Sequence, residues 1–185
     1  GIVGLVLLAS TDYLSRIQGF RTEFYALVLF SATGMMLLAS TQELISIYIA
    51  LELTALPLAA LAAFLKDGRS SEAGLKFLIL SAISSAVLLY GLVLTYGFTG
   101  STMLNDIATV LARTPITSDV PFGSYALLLG IVLIIAGFGF KISAVPFQMW
   151  VPDVYEGAPT PVTAYLSVAS KAAGFAIILR VFYIA

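Results

Sequence analysis

The chain of 185 residues contains no cysteine and no histidine. The first absence removes disulfides, thiolate metal sites, iron–sulfur ligation and a cysteine nucleophile. The second removes imidazole metal ligands, a haem axial histidine and a Ser-His-Asp triad. Charge is also scarce, at 10% of residues against about 25% in a soluble domain. With a net charge of −1, electrostatic nucleic-acid binding has no basis. What is present is apolar: 60% of residues are hydrophobic and mean hydropathy is +1.04. That composition excludes disorder and points to lipid as the solvent. Proton chemistry, if any, must run on Glu, Asp, Lys, Tyr and water. The chain opens at Gly1 inside an apolar run, which is expected of a piece of a longer polypeptide rather than of a cleaved signal peptide.

A membrane-spanning helix needs about 20 mostly apolar residues. The expected fold is all-α, a polytopic transmembrane helix bundle of five full spans after a partial N-terminal one. The partial span covers Gly1 to about Ser10, and the full ones Phe24–Ser40, Leu44–Leu65, Leu75–Tyr96, Tyr125–Trp150 and Pro161–Tyr183. Together they leave no room for a soluble domain, so residues 1–185 are expected to form a single membrane domain. The one long loop is Gly97–Gly123. Within it Met103, Leu104, Ile107, Val110 and Leu111 recur at helical spacing opposite Asn105, Asp106 and Arg113. That predicts a short interfacial helix, with an irregular loop as the alternative. Arg16, Arg21, Lys66 and Arg69 share one face and only Arg113 is a loop charge on the other, so the first face is assigned to the cytoplasm. The segment Val151–Thr160, expected to be a loop, falls on that side as well.

Three ionisable residues interrupt the spans: Glu52 in the second, Lys141 in the fourth and Lys171 in the fifth. A charge at mid-span costs roughly 2.5–3.5 kcal/mol, so these side chains are expected to face protein or trapped water. One reading is a buried ion pair tying helices together. Two lysines share one carboxylate, however, and an unpaired buried Lys moves towards neutrality, where proton exchange is cheap. Glu52 and Lys141 each precede a proline by five positions, Pro57 and Pro146. A helical proline frees the carbonyl four residues back, here those of Leu53 and Ile142, and such helix breaks line water or ion paths in transporters. Glu72 and Lys76 are spaced for an i, i+4 pair, which a solvated helix end explains equally well. Ser81, Ala82, Ser84, Ser85 and Ala86 form a small-residue patch best read as close helix packing, with a hydroxyl-lined water chain as the alternative. Asp153 and Glu156 are expected in a solvated turn.

The run Gly137-Phe138-Gly139-Phe140-Lys141-Ile142-Ser143-Ala144-Val145-Pro146-Phe147-Gln148-Met149-Trp150-Val151-Pro152-Asp153-Val154-Tyr155-Glu156-Gly157-Ala158-Pro159-Thr160-Pro161 resembles the signature of the antiporter-like membrane subunits of respiratory complex I, the NADH:quinone oxidoreductase. The resemblance is nearest to the subunit N group (subunit 2 or B in organelles and cyanobacteria). Leu51-Glu52-Leu53, Leu56-Pro57-Leu58, Ser71-Glu72-Ala73-Gly74-Leu75-Lys76-Phe77 and Ser167-Val168-Ala169-Ser170-Lys171 carry it along the rest of the chain. It implies that Glu52 pairs with Lys141 on a broken helix, that Lys171 passes protons onward and that Lys76 is supportive. It implies the first of two inverted five-helix repeats, the second being absent. It places NADH, FMN, iron–sulfur clusters and quinone in partner subunits, so this chain carries no cofactor or metal itself. Its implied partners are other membrane subunits, the lipid bilayer, protons and internal water. The implied location is a bacterial plasma membrane, or a thylakoid or organelle inner membrane. Gln148 departs from the family, where many members have His after Pro-Phe, and Gln cannot titrate. Two other readings stay open: a subunit of a sodium/proton antiporter or membrane-bound hydrogenase, and a structural membrane scaffold.

Overall fold

The computed structural model describes residues 1–15, 21–113 and 123–184. Arg16 and residues 114–122 of the long loop lie outside them. In lipid every backbone N–H and C=O must be satisfied within its own segment, and the described residues accordingly form helices. They are α1 (Ile2–Ser15), α2 (Arg21–Ser40), α3 (Leu44–Ala62), α4 (Gly68–Thr99), α5 (Leu104–Arg113), α6 (Gly123–Ile142), α7 (Trp150–Gly157), α8 (Thr160–Tyr165) and α9 (Lys171–Ile184). A single π-helical turn, Leu166–Ser170, joins α8 to α9. Five stretches are long and apolar enough to cross a membrane: α2, α3, α4, Tyr125–Ile142 and Thr160–Ile184. Large apolar side chains such as Leu29, Phe30, Ile83, Val132 and Leu179 stand on the outer surface, as lipid contact requires.

Close helix approach uses small residues. A Cβ at Gly34 of α2 would lie 2.6 Å from Thr54 Oγ1 and 2.9 Å from the Ala50 carbonyl oxygen of α3. Between α4 and α6, a Cβ at Gly91 would lie 2.7 Å from the Gly130 carbonyl oxygen, and one at Gly137 would lie 2.6 Å from Leu88 Cβ. In a bundle whose outside is as greasy as its inside, such backbone contact takes over from the hydrophobic effect as the source of helix association.

The 32-residue α4 is about 48 Å long at 1.5 Å per residue, against a hydrocarbon core of about 30 Å. Its first turns, bearing Arg69 and Glu72, therefore extend beyond the expected span start at Leu75, which Lys76 directly follows. Asp67 caps the helix by accepting from Ser70 N–H at 2.7 Å, and Gly100, with φ of 72°, closes it. At the opposite end Arg180 donates to the Ala39 and Ser40 carbonyls that end α2. There too Leu44 N–H donates to the Thr102 carbonyl and Leu104 N–H to the Gln42 carbonyl, pinning the start of α5 to the α2–α3 turn. A helix thus stands in the long loop, with Leu104 and Ile107 buried.

Three expectations are corrected. Pro57 lies inside α3, which runs through it without a break. Pro146 is not a helical proline: α6 ends at Ile142, and residues 143–149 are non-helical with a cis Val145–Pro146 bond. The fourth span therefore stops eight residues before Trp150, and Lys141 sits in its last turn rather than at its middle. The chain folds back there, with Phe147 Cδ2 2.9 Å from where a Cβ at Gly139 would be, so the glycine makes room for the returning ring. Val151–Thr160 is largely helical as α7, whose Trp150 packs on Phe77 and Phe140 at 4.9 and 5.5 Å between ring centroids.

Candidate functional site

The buried acid comes from α3. Glu52 follows Leu51 on a helix face packed into the bundle, and its Oε1 is enclosed without a hydrogen-bond partner. The first amine comes from the end of α6. Lys141 is partly buried, and its Cγ lies 3.7 Å from the position a Cβ would take at Gly174 of α9. Gly174 is three residues after Lys171, so α6 approaches α9 one turn beyond that lysine. Lys171 itself starts α9 directly after the π turn, and its Nζ lies 5.7 Å from the Tyr155 ring centroid of α7. Single π turns gather at functional sites because they re-aim the side chains that follow. Nothing in the sequence signals this one.

No ion pair within 4 Å joins Glu52 and Lys141. Other buried polar atoms also stand without partners. Ser143 Oγ and Gln148 Oε1 of the broken segment and Tyr155 OH of α7 are, like Glu52 Oε1, buried and unpaired. Each such group left dry costs about 1–3 kcal/mol, whereas internal water satisfies it with two to four hydrogen bonds. The break itself is tied down by Trp150, whose Nε1 donates to the Phe140 carbonyl at 3.3 Å.

On the α4 side of Lys141 lies a cavity of about 20 Å3, bounded by Leu51 and Ala55 of α3, Ser81, Ser84 and Ser85 of α4, and Lys141 of α6. The serine patch of α4 therefore borders the Lys141 side chain as well as a packing interface. Ser84 Oγ also donates to the Gly137 carbonyl at 3.3 Å, across the α4–α6 contact.

Lys76 belongs to a different place. Its Nζ lies 2.7 Å from Glu72 Oε1 and 2.7 Å from Asp153 Oδ2 of α7. These groups, with Arg69 and Glu156, line an open cleft of about 190 Å3. The expected Glu72–Lys76 pair is present, but Asp153, expected in a solvated turn, is its second partner across α4 and α7. Arg69 and Glu156, 3.9 Å apart, add an exposed contact in the same cleft. Sequence spacing could not supply the Asp153 pairing, since 77 residues separate the partners.

Comparison with known proteins follows the same lines. Residues 41–185 match the family described as NADH:quinone oxidoreductase/Mrp antiporter, transmembrane. The chain is 52% identical over 180 residues to an NADH-quinone oxidoreductase subunit N of Dehalococcoides mccartyi, covering 97% of this chain and 37% of that subunit. It is 53% identical over 179 residues to the subunit N of Heliobacterium modesticaldum, covering 96% and 36%. Among solved structures, a chain of respiratory complex I from Thermus thermophilus superposes with a TM-score of 0.76 at 40% identity, over 97% of this chain and 38% of that one. A chain of the membrane-bound sulfane sulfur reductase, an archaeal respiratory membrane complex, gives 0.85 at 26% identity, over 99% and 36%. The chain thus spans a little over a third of the length of these relatives.

Proposed function

The chain belongs to the NADH:quinone oxidoreductase/Mrp antiporter transmembrane family and is an integral membrane protein; from that premise we propose that it forms a proton half-channel of a redox-driven pump. Glu52, Lys141 and Lys171 carry the path. The observation that supports this most is at the α6 break, where Lys141 in the last turn of α6 packs its Cγ 3.7 Å from the position of a Cβ at Gly174 of α9, and Glu52 Oε1 of α3 is buried without a hydrogen-bond partner.

In this reading Lys141 holds its proton while Glu52 is close and releases it when the two separate. At 4 Å two unit charges interact by about 4 kcal/mol at an effective dielectric of 20. Moving one charge against 100 mV needs about 2.3 kcal/mol, so making and breaking that pair supplies enough energy per proton. The non-helical segment 143–149 gives the end of α6 freedom to shift. The proton passes through water near Ser143, Gln148 and Tyr155 to Lys171. Gln148 donates and accepts hydrogen bonds but carries no proton of its own, so water or the lysines must do so there. Lys76 and Asp153 position α7 against α4, a supporting role. NADH, FMN, iron–sulfur and quinone chemistry falls to partner subunits, in a bacterial plasma membrane as in the bacterial relatives.

The test is proton translocation by the assembled complex in sealed vesicles, with quinone reduction measured in parallel. Lys141→Ala and Glu52→Ala should each cut translocation at least several-fold while the complex still assembles; normal translocation in both removes the mechanism. Lys171→Arg keeps the charge but cannot release a proton. It should also lose translocation, and normal pumping in that variant would reduce Lys171 to an electrostatic role. A sodium/proton antiporter reading requires sodium-dependent flux without quinone reduction. A scaffold reading requires that neutralising Glu52 abolish assembly.

A further inference from the structure

Lys141 brings three N–H donors into the bundle, and no described residue accepts a hydrogen bond from them or pairs with them as an ion. The cavity beside it is about 20 Å3, just above the roughly 10–15 Å3 that the centre of one water molecule needs. Its polar wall is three hydroxyls from two successive turns of α4. Ser81 Oγ donates to the Leu78 carbonyl at 3.0 Å and Ser84 Oγ to the Gly137 carbonyl at 3.3 Å, so each spends its one hydrogen on the backbone and keeps its lone pairs. Ser85 makes no hydrogen bond among the described residues. Leu51 and Ala55 of α3, with Leu88 and Phe140, supply its apolar lining. Hydroxyl acceptors and the Lys141 side chain therefore border one small space, with room for a single molecule.

We propose that this cavity is a dedicated water site, in which one water molecule held by Ser81, Ser84 and Ser85 accepts a hydrogen bond from Lys141 and is the immediate proton acceptor when the amine discharges. In the transfer, the Lys141 N–H bond breaks and its electron pair stays on nitrogen. The proton forms an O–H bond on the water, leaving a neutral amine and a hydronium whose other two hydrogens point at serine oxygens. The hydroxyls hold the excess charge for the moment before it moves on. They are positioning residues, acting on Lys141 through the water. Ser84 has a second job, since its bond to the Gly137 carbonyl couples the α4 wall to the last turns of α6. A shift of that helix end would change the cavity and the Lys141 environment together.

The inference rests on the reading of Lys141 as a proton carrier, so its test separates the two. In the assembled complex, a map fine enough to show ordered water should place one within hydrogen-bond distance of Lys141 Nζ and of at least two of the three hydroxyls. Ser85→Thr and Ser85→Val then add nearly the same volume, and only Thr keeps the hydroxyl. Ser85→Val should lower protons translocated per quinone reduced at least threefold relative to Ser85→Thr, with the discrepancy shrinking at high pH, where discharge of Lys141 is easiest. A dry cavity in the wild-type complex, or Thr and Val variants with equal stoichiometry across pH, overturns the water site. If Lys141→Ala abolishes translocation in that same preparation, the half-channel stands and only this inference falls; if Lys141→Ala pumps normally, the half-channel reading itself has failed.

Discussion

Glu52 Oε1, Ser143 Oγ, Gln148 Oε1 and Tyr155 OH are buried polar atoms without partners, and all belong to α3, the α6 break or the helix that follows it. Buried groups are paired in the great majority of cases, so such exceptions, with Ser31 Oγ of α2 among them, are where internal water is expected. Lys76 shows the contrast. Its salt bridges to Glu72 and Asp153 are short, but the lysine side chain is 42% exposed and that of Asp153 52% exposed. Exposed pairs contribute about 0–1 kcal/mol each. Asp153→Asn should therefore lower the thermal midpoint of the assembled complex by little and leave translocation within about twofold of wild type. A loss comparable to that of Lys141→Ala would promote Lys76 from support to relay. The identities of Glu52, Lys141 and Lys171 stood out in the sequence because charge is so costly in lipid. Their shared surroundings did not, because pairing, water room and the Tyr155 ring come from residues on other helices.

At the scale of helices, hydropathy located every span and misjudged where one ends. Past Ile142 the chain continues with Ala144, Val145, Phe147, Met149 and Trp150, as apolar as the span itself, so composition extended α6 to Trp150. Gly137, Gly139 and Pro146 were the better signal. Residues before proline are turned away from helix, and Gly139 accepts the returning Phe147 ring. Pro57 carried a weaker message, since neighbouring helices support α3 through it. The π turn before Lys171 has no composition of its own and emerges only from packing. A paired substitution tests the small-residue contacts. Gly91→Val would drive a side chain into the Gly130 carbonyl and should sharply reduce the yield of assembled complex. Gly97, on the same helix with nothing within 4 Å, should accept Ala and gain up to about 1 kcal/mol of helix preference. Equal yields from Gly91→Val and Gly97→Ala would show that α4 and α6 do not depend on backbone contact.

Across the whole molecule, the two ends are distinct. Arg69 and Lys76 gather with Asp153 and Glu156 at one, while Arg180 closes the α2 terminus at the other. Between them the Glu52, Lys141 and Lys171 positions fall on three different spanning segments. The fold class and the family were legible because lipid permits so few backbone solutions and because the Pro152–Pro159 stretch is distinctive. The chain spans a little over a third of the length of its relatives. The account's central claim is that the buried amines exchange protons rather than merely carry charge. Lys141→Arg tests it most directly, because guanidinium preserves the charge and cannot discharge. Measured as protons moved per quinone reduced in sealed vesicles, that variant should fall at least tenfold with assembly intact. Wild-type stoichiometry in Lys141→Arg would contradict the account.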